Sequence, residues 1–467
     1  MNMIILVLLS LPLIVSGLFG TSLSVCVKDN QPTQIRLAFI PNGMTVSWTT
    51  SSNANSPTSV VKYGLSKTNL NKQASGYVTT YGTSNFHNVL LKGLTPNTIY
   101  YYQIAASGTV GTSGKYSFKT APEPSNGQFT VTILGDWGST QIVPLIKTPK
   151  GPMCTCSGDT LKALKKKLSS TDFFWHLGDA AYADDFYLNN HDFSSLLHHP
   201  YEGLLDNFQC TLQPLSSTKS YMILPGNHEV KCNEIPIIDD HCPKPTTNFS
   251  TFLDRYRMPG IESGGFSNLW YSFDYGLVHF AIINTETDFP SSPSGPGTSL
   301  DGGNFISNTA QLKWLENDLK KANNRRAQIP WIIVGGHRPF YSSSPDSICE
   351  ACKTAFEPIL IKYKVDMYFS GHAHWYERIY PIKNGKFNKN SNSYTHPTGI
   401  IHLTTGAAGN PECSESQHSP ASYSANISYQ CSFGQLRINS RTNAKWTVFD
   451  TTASNKIIDE ININIKH

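Results

Sequence analysis

The sequence predicts a multidomain protein of mixed α+β and α/β class, an N-terminal β-sandwich followed by a layered α/β β-sandwich domain, and three observations carry that prediction. Between about Gln31 and Thr120 the chain runs as short segments of alternating apolar and polar residues parted by turn residues, with no long helical pattern. From Gln128 onward, continuous apolar runs alternate with amphipathic stretches, the habit of strands buried on both faces. The length, 467 residues, allows roughly two to four domains, and 39% hydrophobic residues can repay the entropy of folding. Charge excludes another class: 37 Lys and Arg against 33 Asp and Glu leave +4 on a chain only 15% charged, so no basic face points to nucleic acid.

The first segment, MNMIILVLLSLPLIVSGLFG, carries an apolar run from Ile4 to Val15, broken by Ser10 and Pro12, before the small residues Ser16 and Gly17. Residues 1–20 therefore read as a signal peptide, short for a membrane-spanning helix. No later stretch offers about 18 consecutive apolar residues, so no stable membrane anchor is expected. Export places the ten cysteines in an oxidising compartment, where disulfides outrank thiolate metal sites. The close pairs Cys154 with Cys156, Cys232 with Cys242, Cys349 with Cys352 and Cys413 with Cys431 are expected as bridges, with connectivity left open. Asn248 and Asn426 open sequons compatible with glycosylation.

Within the sandwich region, IRLAF, MTVSWTT, SVVKYG, HNVLLKG, TIYYYQIAA and KYSFKT read as strands. GLTPNTIYYYQI, from Gly93 to Ile104, resembles the loop and strand of a fibronectin type III domain with its corner tyrosine, so residues 26–122 are expected to form a fibronectin type III-like sandwich. Ala121 to Gly127 is a linker by composition. Residues 127–467 form the second domain: FTVTIL, DFFWHL, YMIL, LVHFAII, PWIIV and VDMYF are its buried strands, and Thr160 to Leu168 and Thr309 to Leu319 are helical. The segment 395–467, with GIIHLTTGAAG, FGQLRI and AKWTVFD, returns to strands and completes it.

The residues just past five of those strands carry the chemical information. VTIL runs into Gly135-Asp136-Trp137-Gly138, FFWHL into Gly178-Asp179-Ala180-Ala181-Tyr182, and MIL into Pro225-Gly226-Asn227-His228-Glu229. WIIV runs into Gly335-Gly336-His337 and MYFS into Gly371-His372-Ala373-His374. Ligands of open α/β sheets bind beyond the carboxyl ends of strands, so these side chains are expected to converge on one crevice. Two Asp, one Asn, one Tyr and three His make a hard to borderline oxygen and nitrogen set without thiolate, suited to Fe, Mn or Zn. Seven donors exceed one four-coordinate ion and suit two ions sharing a carboxylate, the arrangement that clamps both oxygens of a displacement at phosphorus. Phosphoester hydrolysis is the chemistry expected. His198 and His199 lie in an irregular stretch and His279 in a strand, outside the set; His176 reads equally as support for the ligands or as a core imidazole.

The ordered set GDWG, GDAAY, GNHE, VGGH and GHAH, with QLKWLENDL and HWYER beside it, resembles the motif blocks of the purple acid phosphatases, within the metallophosphoesterase superfamily. The resemblance spans essentially the whole mature chain. It implies a secreted acid phosphatase acting on small-molecule phosphate monoesters by attack of metal-held hydroxide. It also implies two metals per chain: an Fe(III) held by Asp136, Tyr182 and His374, and a divalent Fe, Zn or Mn held by Asn227, His337 and His372, with Asp179 bridging. His228 then contacts phosphate and protonates the departing alkoxide, Asn227 shares the substrate contact, and an acidic optimum is expected. After His337 the chain reads Arg-Pro-Phe-Tyr-Ser-Ser-Ser, without the adjacent histidines of plant-type members, and resembles animal-type long-chain members. Arg338 there reads either as a phosphate contact or as a structural salt bridge, and Tyr376, Glu377 and Arg378 either as lining of the pocket or, the preferred reading, as support behind His374. The expected location is extracellular or the lumen of an acidic, lysosome-like compartment; nothing in the pattern specifies an oligomer. Two other readings share these residues, a phosphodiesterase or nucleotide pyrophosphatase on the same core, and a non-catalytic extracellular binding protein, which the filled ligand positions disfavour.

Overall fold

The computed structural model describes residues 27, 30–55, 58–124, 127–139, 156–184, 200–232, 248–292, 305–390, 393–412 and 417–466. The expected signal peptide, Cys154, Cys242, Cys413, His198 and His199 lie outside these residues.

Eight strands form the N-terminal sandwich: β1 (Thr33–Ile40), β2 (Gly43–Ser51), β3 (Val60–Gly64), β4 (Lys72–Ser75), β5 (Tyr77–Tyr81), β6 (Ser84–Lys92), β7 (Ile99–Ile104) and β8 (Tyr116–Lys119). One layer runs β1-β2-β6-β5 and the other β4-β3-β7-β8. The corner tyrosine is Tyr100, whose hydroxyl accepts the Thr95 N–H at 3.1 Å. β4 and β5 are largely exposed and polar, and they lie beyond the six strands that alternation marks.

The sandwich is locked to the rest of the chain. β1 pairs in parallel with β13 (Ser220–Ile223) at Leu37 and Ser220, so its layer continues into the second domain. Helix α2 (Pro200–Ser216) reinforces the seam: Gln213 accepts the Ile35 N–H at 3.1 Å and the Ser216 hydroxyl donates to the Ile35 carbonyl at 2.8 Å. Beneath it the buried Arg255, from helix α3 (Ser250–Arg255), pairs with Glu202 and Asp206.

Two sheets build the second domain. The first continues β13-β11-β9-β23-β24-β25, where β9 is Phe129–Leu134, β11 Phe173–His176, β23 Ser432–Ile438, β24 Asn443–Asp450 and β25 Lys456–Asn464. The second runs β14-β15-β16-β17-β21-β18-β22, with β14 Tyr271–Tyr275, β15 Val278–Ile282, β16 Trp331–Gly335, β17 Met367–Ser370, β18 Tyr376–Ile379, β21 Ile401–Thr405 and β22 Ser424–Ser428. Their parallel centres are β9, β11 and β13 in one and β15, β16, β17 and β21 in the other. Two-residue strands β10 (Trp137–Gly138) and β12 (Ala180–Ala181) pair just past the first sheet, and β19 (Ile382–Lys383) with β20 (Lys386–Phe387) makes a hairpin. The core lies between the sheets, where Trp175 of β11 meets Phe280 and Phe369 of the second sheet at 5.4 and 5.8 Å between ring centres. Gly335 is required there, because a Cβ would stand 2.2 Å from the Trp175 ring.

Helices α1 (Ser157–Lys167), α4 (Ala310–Asn324) and α5 (Glu350–Lys362) complete the layers. α4 buries Gln311, Trp314, Leu315, Asp318, Leu319 and Ala322, one stripe at helical spacing. The disulfides revise two expected pairs. Cys156 bonds Cys431, across a separation of 275 residues, in place of Cys154 and Cys413 respectively, because the start of α1 and the start of β23 meet on either side of residues 407–409. Cys349 and Cys352 are bonded to each other as expected, and Cys210 and Cys232 each take part in a separate disulfide.

Candidate metal centre

All seven predicted donors stand at the carboxyl ends of the parallel strands. Asp136 follows β9, Asp179 and Tyr182 follow β11, Asn227 follows β13, His337 follows β16, and His372 and His374 follow β17. Asp136, Asp179, Tyr182 and His372 all take positive φ, between 53° and 67°, a conformation that side chains rarely adopt and that clusters at functional sites. The loops pack so closely that a Cβ on Gly226 would fall 2.2 Å from the Asp179 carboxylate and one on Gly371 2.4 Å from that of Asp136.

The donors gather into two groups. In the first, the Tyr182 hydroxyl lies 3.2 Å from Asp136 Oδ1 and 3.0 Å from His374 Nε2. In the second, Asn227 Oδ1 lies 3.0 Å from both His337 Nε2 and His372 Nδ1, and Asp179 Oδ2 lies 2.9 Å from His337 Nε2. Donor atoms of Asp179, His337 and His372 all fall within 4.8 Å of one another.

Hydrogen-bond accounting tests whether this set fits metal ions. His337 Nδ1 lies 2.7 Å from the Leu177 carbonyl, which accepts its N–H. A neutral ring then aims the Nε2 lone pair at two further acceptors, Asn227 Oδ1 and Asp179 Oδ2, an arrangement that only a cation or an added proton satisfies. A carbonyl bond of this kind is how a ligating imidazole is oriented. Asp179 Oδ2 is buried, and the group nearest to it is that same His337 Nε2 at 2.9 Å, so with the ring neutral this carboxylate oxygen also lacks a donor, a costly state without a cation or the added proton.

Electrostatics point the same way. Burial alone would lower the imidazole pKa values, yet Asp179 brings His337 up to about 9, Asp136 raises His374, and Asp184 and then Asp179 raise His228 well above its ordinary value. Burial pushes Asp179 up, but His337 and then His228 outweigh it and hold the carboxyl below its usual range. Asp136 stays raised by burial. Burial and then Arg338 lower His372, and burial and then Asp136 hold Tyr182 well above the phenol range. The cavity gathers positive charge.

His228 stands beside the two groups. Its N–H donates to Asp179 Oδ1 at 3.0 Å, and its Nδ1 lies 3.0 and 2.9 Å from the Asp184 carboxylate oxygens. Arg338 forms the salt bridge: Nε and Nη2 reach the buried Glu286 at 2.8 and 2.9 Å, while Nη1 lies 3.0 Å from His372 Nε2. Tyr376 and Arg378 are tied to Asp459, and Glu377 to the Ser343 N–H, so the three brace the segment behind His374. His176 is a core imidazole, 2.8 Å from the Tyr221 hydroxyl and pushed down to about 3 by burial. Of the sequons, Asn248 is half-buried before α3, and Asn426 sits in β22 with its side chain bonded to Asp459.

Four residues beyond the sequence reading belong here. Glu229 accepts the N–H groups of Asp179, Ala180 and Gly226 at 2.9, 2.7 and 2.6 Å, tying two of the loops together. Asp184, Glu286 and Glu412 are the others. Glu229 and Asp184 stand in or beside the motif blocks and were within reach of inspection; Glu286 and Glu412 have no local pattern to mark them.

Comparison with known proteins leads to the same place. Three family models match in order: the purple acid phosphatase N-terminal domain over residues 32–120, the calcineurin-like phosphoesterase over 129–376, and the iron/zinc purple acid phosphatase-like protein C over 399–460. An acid phosphatase of Aspergillus ficuum is 32% identical, over 89% of this chain and 84% of its own. Acid phosphatase A of Cryphonectria parasitica is 36% identical over 82% and 81%, and mouse acid phosphatase type 7 is 30% identical over 81% and 78%. The fold is similar to that of a purple acid phosphatase from yellow lupin seeds, with a TM-score of 0.73, 23% identity, and coverage of 94% of this chain and 75% of that one.

Proposed function

The chain belongs to the purple acid phosphatases, and from that premise we propose that it is an exported acid phosphatase that hydrolyses small-molecule phosphate monoesters at a two-metal centre. The observation that carries this reading is the division of seven donors, five of them buried and Asn227 and His372 partly so, into two groups at the ends of five parallel strands. Asp136, Tyr182 and His374 would hold Fe(III), Asn227, His337 and His372 would hold a divalent Fe, Zn or Mn, and Asp179 would bridge. Ions bound there supply Lewis-acid polarisation of the phosphoryl group and lower the pKa of water.

The chain's own residues do the rest. His228 is held by Asp184 at Nδ1, and Nε2, which Glu412 Oε1 approaches to 3.6 Å, is the nitrogen that would donate a proton to the departing alkoxide. Its backbone N–H bond to Asp179 ties the segment after β13 to the centre. Asn227 and His228 are adjacent on the loop after β13, so phosphate held at one is presented to the other. Arg338 is held by Glu286 with Nη1 toward His372, and we assign it electrostatic support of the phosphate. The apolar leader and the disulfides favour an exported protein or one in an acidic lumen, and among the described residues no helix is long and apolar enough to cross a membrane.

The test is turnover of the metal-loaded enzyme on p-nitrophenyl phosphate and bis(p-nitrophenyl) phosphate near pH 5. Preference for the monoester by more than about tenfold supports the reading; preference for the diester overturns it in favour of a phosphodiesterase.

A further inference from the structure

Glu412 approaches the centre from a segment that contributes none of the seven donors. After β21 the chain turns back over the site through residues 406–412 and is pinned at residues 407–409. The Ala408 N–H donates to the Gly135 carbonyl at 3.3 Å, the Gly138 N–H to Gly409 at 3.0 Å and the Ser432 N–H to Ala407 at 2.8 Å. The Ser157 hydroxyl also donates to the Gly409 carbonyl, and the Cys156–Cys431 disulfide joins the residues flanking these anchors. Buried Pro411 then sets the approach of Glu412. The carboxylate lies with Oε1 3.6 Å from His228 Nε2 and Oε2 3.6 Å from His374 Nε2, and its side chain is 36% exposed. It is a partly exposed negative charge beside the proton donor and His374.

We propose that Glu412 is a specificity-determining residue that sets the charge class of alcohol the enzyme releases, admitting cationic and neutral leaving groups and selecting against anionic ones. The inference rests on the monoester phosphatase reading and on His228 as the donor to the leaving oxygen. The alcohol departs on the His228 side, so the first atoms beyond its ester oxygen pass the Glu412 carboxylate. A charge two or three bonds beyond that oxygen stands roughly 7 Å from the carboxylate, and between the effective dielectrics of about 20 at a protein surface and about 80 in water such a pair changes an equilibrium by roughly threefold to fiftyfold, about tenfold in the middle of that range. An ammonium gains that factor and a carboxylate loses it.

Three esters of nearly equal length isolate the effect: phosphoethanolamine, ethyl phosphate and phosphoglycolate, whose alcohols carry positive, zero and negative charge. kcat/KM is measured for each on the metal-loaded enzyme and on its E412Q variant at one pH, with metal content checked. The expected order in the unsubstituted enzyme is phosphoethanolamine, ethyl phosphate, phosphoglycolate, and E412Q narrows the ratio of the first to the last by the product of the two factors, about a hundredfold. The ratio is internal to each enzyme, so a general loss of turnover cancels. Should E412Q fail to fold, the unsubstituted enzyme supplies the test alone, because raising the salt concentration must compress the same ratio. A ratio unchanged by E412Q, or one insensitive to salt, overturns the role of Glu412 and leaves the phosphatase reading standing. Failure of the loaded, unsubstituted enzyme to hydrolyse any of the three, or p-nitrophenyl phosphate, overturns the phosphatase reading and this inference with it.

Discussion

Replacing Asp184 by Asn tests the assignment of His228 as the proton donor. Both oxygens of Asp184 lie within 3.0 Å of His228 Nδ1, and the two side chains are only 5% and 9% exposed, so water screens the pair little. A hydrogen bond to a charged group in such a place contributes about 2 kcal/mol, which converts to roughly thirtyfold in a rate that depends on it. Asp184 also heads the causes that raise the His228 pKa against burial. The Asn variant therefore loses the proton at lower pH, and the alkaline limb of the activity profile moves toward acid. The assay is kcat against pH with two monoesters, glycerol phosphate, whose alkoxide needs a proton, and p-nitrophenyl phosphate, whose leaving group does not. The variant should lose about thirtyfold on the first and only a few-fold on the second, with metal content unchanged. Equal losses on both esters, or an unmoved alkaline limb, would refute the assignment.

Other perturbations have equally definite outcomes. Tyr182→Phe removes the phenol between Asp136 and His374, and should abolish visible absorption in the iron-loaded protein while leaving the circular dichroism spectrum intact; a retained purple colour contradicts the Tyr182 assignment. His279 lies 2.7 Å from Asp274 and 2.8 Å from Asp318, far from the seven donors in sequence, and these partners outweigh burial to raise it to about 9. A raised histidine pKa stabilises the fold fully below about pH 6.5 and loses that contribution as pH climbs through 9, here about 3 kcal/mol. The melting-temperature gap between the parent and His279→Asn should accordingly shrink over that window, and a constant gap counts against it. Replacing Cys156 and Cys431 together by Ser opens a loop of 275 residues and should cost about 5 kcal/mol by loop-closure entropy, read as a lower denaturant midpoint.

The parts of this protein that were legible in its sequence are those where burial and chemistry alternate sharply. Trp331–Gly335 is buried on both faces and reads as an unbroken apolar run, Phe129–Leu134 is buried except at Thr130 and carries two threonines among its apolar residues, and each is followed closely by glycine and a polar donor. Helix α4 kept its apolar stripe, and Thr309 to Leu319 marked its first turns. β4 and β5 carry no such signature, since KQAS and YVTTY expose most of their side chains and pair mainly through backbone. β25 escaped for a related reason, KIIDEININ being half-exposed and without strict alternation. The bridge between Cys156 and Cys431 was invisible because proximity in sequence favoured Cys154 and Cys413, while three-dimensional contact is set by α1 and β23 meeting at residues 407–409. The predicted donors could be singled out because each stands within a few residues of the end of a strand. Glu412 could not, because its place depends on a return loop whose course is fixed by hydrogen bonds to Gly135, Gly138 and Ser432.

Metal content per chain, measured by mass spectrometry on natively purified protein, tests the central claim most directly. Two ions per chain with at least one iron is the result predicted for donors divided as Asp136, Tyr182 and His374 on one side and Asn227, His337 and His372 on the other. A chain that holds no metal after remetallation trials would contradict it.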